Sequence, residues 1–421
     1  MKRTIIICAL AALALASSCR KEADFVANPY LYEYTGSIDM TYSHQFESVW
    51  QGINSGYAFW DIETVDWDGR YEEFSARLQK MTGSSEDGSI SDKDLQQFYE
   101  ELCGDLCDHH MAVIIKNLTT GTKFMVTPGQ NEVQKREYYH DALTLEDIDK
   151  NLETLNASYS VSDYAFASCS EATVLSCVIN LADGRIIPYL WQSGYAMSAI
   201  LPYLEQYDPD SEQETAMHLA AQVIDSYFTT ITEANYGRLA GIILDNRSNT
   251  GGIVGDKELV IGTYLKEQTA ILETRSKNGA GRLDFSPWAP IYSWPNEVYS
   301  RDITTEDIPY VILQDINSIS MGELSGLGAR HALPTAYIIG ENSFGGQGTL
   351  TPSLTNILSY GTFGDNQDTE GHYVYTVTYA TRAPGGEILE GKGSTPDKEV
   401  LATKDGTFAQ LLEAVEYIRK Y

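Results

Sequence analysis

Residues 308–349, IPYVILQDINSISMGELSGLGARHALPTAYIIGENSFGGQGT, decide how the rest of the chain is read. Tyr310–Leu313 is a short apolar run, too short for a helix and suited to a strand buried on both faces. Asn317, Ser318, Ile319 and Ser320 form a turn, and residues Glu323 to Leu333 carry Leu, Ala and Gly at helical spacing until Pro334 stops them. Ala336–Ile339 is a second strand, closed by Gly340. A serine at such a strand-to-helix turn has its hydroxyl at the carboxyl edge of a sheet. The first unpaired N–H groups of the following helix favour negative charge developing there. The stretch by itself leaves two uses open for Ser318 and Ser320, nucleophile or helix cap.

Outward from this stretch, helices alternate with short buried strands. Ile187–Trp191 and Leu239–Leu244 read as strands, and Thr215–Asn235 as a helix with Leu219, Val223, Ile224, Tyr227 and Phe228 on one side. That alternation predicts an α/β fold with a mostly parallel sheet covered on both faces. Residues 255–300 read as a further helix and a Trp/Pro-rich loop, residues 372–381 as one strand of period two, and Thr407–Tyr421 as a closing amphipathic helix.

Four motifs in order resemble those of the C-terminal processing (tail-specific) serine peptidases. Ser318-Ile319-Ser320-Met321-Gly322-Glu323 is similar to their Ser-Ala-Ser-Ala-Gly-Glu, and Gly340–Gly345 to their Gly-Glu-x-Thr-Phe-Gly loop. Leu244–Gly252 resembles Leu-Asp-Leu-Arg-x-Asn-x-Gly-Gly, and Gly391–Asp397 resembles Gly-x-Gly-x-x-Pro-Asp. The resemblance implies a ClpP/crotonase-like sandwich for residues 186–421 and a serine nucleophile at Ser320, the position two before Gly322. It also implies oxyanion donors at the backbone of Met321 and at Gly251 or Gly252. One branch of the family uses a lysine just after the Phe-Gly pair, but Gly346 and Gln347 stand there. A neutral amide cannot take a proton from serine. The tricorn-core-like branch uses Ser, His and Glu, with its base in an Asp-Gly-His-Thr segment. Asp108-His109-His110-Met111 resembles that segment, so His110 is the expected base and Glu390 the expected orienting acid. An inactive, peptide-binding member of the same fold is the alternative.

The amino-terminal part adds an address. Lys2 and Arg3 precede an apolar run from Ile5 to Ala16 that is too short to cross a bilayer, so residues 1–18 read as a signal peptide. Cys19, behind small residues, resembles a bacterial lipobox. The implied protein is an outer-membrane lipoprotein of the cell envelope, touching the membrane only through an N-terminal lipid anchor. Residues 19–45 read as a tether, 46–112 as a helical domain, and 113–185 as a small mixed α/β insert without the marks of a PDZ domain.

The chain has 421 residues, with 59 acidic against 29 basic side chains. Losing residues 1–18 removes two basic residues and no acidic one, which leaves a charge of −32. Nucleic acid and anionic lipid are repelled by such a surface, and a polypeptide substrate is the expected partner. No cofactor is expected. Cys103-x-x-x-Cys107 beside His109 and His110 lacks the second ligand pair of a zinc site, so no metal is expected either. Cys169 and Cys177 are placed for a disulfide across a hairpin, given an oxidising compartment.

Overall fold

The computed structural model describes residues 41–84, 88–235, 237–279, 281–349, 363–364, 373–404 and 406–421. The proposed signal peptide, Cys19 and most of the tether lie outside the described residues, as does His372. The tether reading ends too late, because helix α1 (Tyr42–Gly56) already begins at Tyr42, capped by the Thr41 hydroxyl. Helices α2 (Trp67–Gly83) and α3 (Asp92–Cys103) follow, then strands β1 (Ala112–Lys116) and β2 (Lys123–Val126) and the short helix α4 (Pro128–Gln134). Next come α5 (Leu145–Leu155), β3 (Ser160–Ser168), β4 (Thr173–Asn180), β5 (Ile186–Gln192), α6 (Glu212–Glu233) and β6 (Ile242–Asp245). Strands β7 (Thr269–Ser276) and β8 (Ala289–Ser293) precede β9 (Tyr310–Gln314), α7 (Met321–Ala332) and β10 (Ala336–Gly340). The chain ends through β11 (Phe363–Gly364), β12 (Tyr373–Tyr375), β13 (Tyr379–Arg382), β14 (Lys398–Glu399) and α8 (Phe408–Lys420).

The central sheet has seven strands in the order β14-β10-β9-β6-β5-β4-β3. The five from β14 to β5 run parallel, and β4 and β3 extend them antiparallel. Side chains alternate across the sheet as a pleat requires. Ile242, Leu244, Tyr310, Ile312 and Ile338 share one core with α6 and α7. Ile243, Val311, Leu313 and Ile339 share the other with α5 and α8. A strand buried on both faces has no polar side to show, which is why these segments read as unbroken apolar runs.

This parallel arrangement positions the site. Strands β6, β9 and β10 lie side by side and point the same way, so the loops that leave them, at residues 246–252, 315–320 and 341–348, meet at one carboxyl edge.

Several expectations need correction. The insert at 113–185 is not one unit. Its strands β1 and β2 join β11 and β12 in a separate four-stranded sheet over the helical N-terminal core, whereas β3 and β4 belong to the central sheet. A strand's own residues do not say which strand it will pair with. Residues 255–300 hold a β7–β8 hairpin rather than a helix, apart from one turn at Lys257–Val260. The single strand expected at 372–381 is two strands in different sheets, because Thr376 and Val377 turn aside to bond Asp108. Cys103, Cys107, Cys169 and Cys177 are all unpaired. Ser168 faces Thr173 in the register of β3 and β4. Cys177 thus lies four residues down the strand from that end, about 14 Å at strand rise, beyond the span of a disulfide.

Candidate active site

The turn after β9 is built around Asp315. Its carboxylate accepts the Ser248 N–H (2.7 Å), the Ser248 hydroxyl (2.7 Å) and the Asn317 N–H (3.0 Å). Ser318 completes this brace. Its hydroxyl is fully buried, donates to the Asn246 carbonyl (2.7 Å) and accepts the Asp315 N–H (2.9 Å). Ser318 is therefore a structural serine and drops out as a nucleophile. Ser320 differs in every respect. It is partly exposed and stands at the N-terminus of α7 with φ 57° and ψ −125°, a strained conformation for a residue with a side chain. Its hydroxyl makes no capping bond to the helix.

Gly251 faces it directly. A Cβ at Gly251, whose φ is +82°, would stand 2.4 Å from Ser320 Cβ and 2.9 Å from its Oγ, so only glycine fits. The amide of Gly251 is already spent, donating to Asn249 Oδ1 at 2.8 Å. Among the described residues, the N–H groups of Met321 and Gly252 have no acceptor. Of the expected oxyanion donors, the geometry thus favours Met321 and Gly252, while Gly251 serves by its lack of a side chain. Asn246 ties this cradle to α7 by donating to the Gly322 carbonyl (3.1 Å) and to Ser325 Oγ (2.7 Å).

His110 arrives from the other sheet, on the turn just before β1. His110 and Ser320 both lie against Gly346. The Gly346 carbonyl accepts the Ser320 N–H at 2.8 Å, and a Cβ at Gly346 would be 3.1 Å from His110 Cε1. His110 Nδ1 is buried without a hydrogen-bond partner and lies 3.9 Å from Glu390 Oε1, a separation about 1 Å too long for a bond. Burial lowers the pKa of His110, against the fields of Asp108 and Glu323, so the imidazole is neutral and able to accept a proton at neutral pH.

Three buried carboxyl groups surround this ring. Glu390 accepts the His109 N–H (3.0 Å) on one oxygen and those of Gln347 (2.8 Å) and Gly348 (2.7 Å) on the other. Burial pushes it up to about 8 against those donors. Asp108 accepts the His110 N–H at 2.8 Å and the Thr376 hydroxyl, and burial raises it to about 6. Glu323 accepts Ser343 Oγ (2.5 Å), the Gly345 N–H (3.0 Å) and the Gly346 N–H (2.8 Å), and burial raises it to about 7. Asp108, His110 and Glu390 are close enough to suggest a cation site. Their carboxylate oxygens already accept protein donors, so a metal would have to break those bonds, and the group is better read as a proton-handling cluster.

The sequence-based reading missed Asp108 and Glu323, although both sit inside the quoted motifs, and gave His109 no role. His109 donates Nδ1–H to the Phe344 carbonyl (2.8 Å), and burial lowers it to about 4, which leaves it neutral and structural. His331 is exposed near the far end of α7, away from Ser320. Asp245 and Arg247 form the expected local ion pair, fully buried, and Arg247 also reaches the Thr407 carbonyl.

One further histidine is tied to the loops. His140 donates from Nε2 to Glu341 Oε2 (3.0 Å) and from Nδ1 to the Asp141 carbonyl (2.8 Å), a pattern that only the imidazolium can satisfy. Burial opposes that charge, but the bond to Glu341 and the field of Asp315 outweigh it and raise the pKa to about 9. Its stabilisation is complete below the unfolded imidazole value of about 6.5 and is lost as pH rises through about 9. Melting curves from pH 6 to 10 should therefore show a gap between wild type and His140→Gln that narrows as pH rises. A constant gap would contradict the assignment.

The sequence model of peptidase family S41 matches residues 215–400 of the chain. Among solved structures, a protein from Parabacteroides merdae described as a candidate peptidase is similar over 89% of this chain and 95% of its own, with TM-score 0.58 and 18% identity. Mature CPAF is similar over 88% of this chain and 94% of its own, with TM-score 0.51 and 10% identity. At these identities the structural likeness speaks for the fold. No curated protein sequence matches the chain.

Proposed function

We propose that the chain, whose residues 215–400 match the model of peptidase family S41, is a serine endopeptidase acting on unfolded proteins or peptides through Ser320, His110 and Glu390. The observation that carries the reading is the strained, uncapped Ser320, set between a glycine that leaves room for a substrate and a neutral buried imidazole. In this reading Ser320 Oγ attacks the scissile carbonyl carbon and its proton passes to His110 Nε2, since Nδ1 faces Glu390. The N–H groups of Met321 and Gly252 receive the oxyanion, a donor pair worth about 10²–10³ in rate per member. As the imidazolium forms, the field of the Asp108 carboxylate favours it, and Glu390 does so in its ionised form. A shift of about 1 Å would turn the 3.9 Å approach into a bond, as is usual between free and substrate-bound sites. His110 then gives its proton to the leaving amine, and water attacks the acyl-enzyme with the roles reversed.

That 3.9 Å gap, with Gln347 in place of a lysine, also supports the second reading, a peptide binder without turnover. A library of unstructured peptides distinguishes them. Cleavage that accumulates with time supports the peptidase; saturable binding with no product supports the binder. The location is part of the same proposal: residues 1–19 support an outer-membrane lipoprotein. Metabolic incorporation of labelled palmitate, abolished in Cys19→Ser, is the expected result, and an unlabelled wild type would refute the anchor.

A further inference from the structure

We propose that Arg136 and His140 are positioning residues of the hydrolytic site, carried on a strap of residues 128–143 that holds four separate segments of it in register. The proposal rests on the peptidase reading above. At one end, Gly129 lies so close to the base-bearing turn that a Cβ there would be 2.4 Å from His109 Cα. Arg136 then spans the glycine-rich loop, donating from Nη1 to the Ser343 carbonyl (2.8 Å) and from Nη2 to the Phe344 carbonyl (3.0 Å). The Phe344 carbonyl also accepts from His109, so strap, base turn and loop meet on one oxygen. Further along, His140 grips Glu341 by its ring, while its backbone carbonyl accepts Asn317 Nδ2 (2.9 Å) from the nucleophile turn. Finally, the Leu143 N–H donates to Ser248 Oγ (2.8 Å), which itself bonds Asp315.

None of these bonds touches Ser320, His110 or Glu390; the strap acts through the loops that carry them. Ser343 and Phe344 immediately precede Gly345 and Gly346, whose N–H groups bond Glu323 and whose Gly346 carbonyl holds the Ser320 N–H. A displacement of the loop at Arg136 is therefore passed to the nucleophile within two residues. Arginine suits the task because its rigid fork serves two carbonyls at once, and a lysine ammonium cannot reproduce that spacing.

The test compares wild type with Arg136→Gln, Arg136→Lys and His140→Gln. It reads kcat and KM for a cleaved peptide, the rate at which a peptidyl phosphonate labels Ser320, and the melting temperature. In Arg136→Gln, kcat and labelling rate should fall together by on the order of 10²-fold, the cost of a misplacement near 1 Å. KM should stay within about threefold, because the transition state loses more than the bound ground state. Arg136→Lys should recover part of the loss, and His140→Gln should lower kcat in the same direction. Variants that melt earlier yet label at the wild-type rate per folded molecule would overturn the proposal and leave the peptidase reading intact. A wild type that neither cleaves nor labels would overturn both. Should Arg136→Gln not fold, the lysine variant and His140→Gln carry the same comparison.

Discussion

Replacing Ser320 by alanine is expected to abolish peptide cleavage, with kcat falling by on the order of 10⁶-fold, while the protein folds as before. The size of the loss follows from the unit in which a nucleophile acts. Without the hydroxyl, His110 has no proton to take, and only binding and the oxyanion donors remain. The unchanged stability is the more specific part. Ser320 Oγ makes no capping bond, and alanine suffers the same strain at φ 57°, so the folded state should lose no more than about 0.5 kcal/mol. Ser318→Ala, two residues away, should do the opposite. It strips a fully buried hydroxyl from the Asn246 carbonyl and the Asp315 N–H, at a cost of about 1–3 kcal/mol for the groups left unpaired. Denaturant melts and turnover of the two variants, measured side by side, therefore separate the reacting serine from the bracing one. A Ser320→Ala protein that still cleaves would end the assignment.

Glu390→Gln should be nearly as damaging, for two reasons that act together. The first is chemical: an amide cannot favour an imidazolium, and losing the orienting acid of such a triad costs about 10⁴-fold in kcat. The second is structural. Both Glu390 oxygens accept backbone N–H groups, from His109 on one side and from Gln347 and Gly348 on the other. Whichever way a glutamine is turned, its NH₂ confronts at least one of these donors, at a cost of about 1–3 kcal/mol. Unfolding midpoints and kcat should both drop, in contrast to Ser320→Ala. A Glu390→Gln protein that keeps wild-type turnover would transfer the orienting role to Asp108, whose field also acts on His110.

The two outcomes bear on how much of this protein its sequence reveals. The strands that aim the site declare themselves by their apolar runs, Tyr310–Leu313 and Ala336–Ile339, because burial on both faces leaves little room for polar side chains. The turn that carries Ser320 is legible because Ser320, Gly322 and Glu323 stand at fixed spacing within a few residues. His110 could be nominated, but its place against Gly346, whose carbonyl accepts the Ser320 N–H, joins distant parts of the chain in a way that no local pattern encodes. The same holds for Asp108, whose partners Thr376 and Val377 break what reads as one continuous strand. The proposed oxyanion donors show a different limit. Both Gly251 and Gly252 fit the motif, and only the position of the Asn249 side chain shows which amide is spent. Arg136 and His140 escape a sequence reading altogether, since their acceptors are backbone carbonyls and a buried glutamate brought in by folding.

The central claim, that the Ser320 hydroxyl is activated by the His110 imidazole, is tested most directly by peptidyl phosphonate labelling of wild type and His110→Gln at neutral pH. The adduct is located by mass spectrometry, and the rate is followed over time. The expected result is a single adduct on Ser320 in wild type and a labelling rate about 10²–10⁴-fold lower in the variant, the range a general base contributes. An adduct on any other residue, or equal rates in the two proteins, would contradict it.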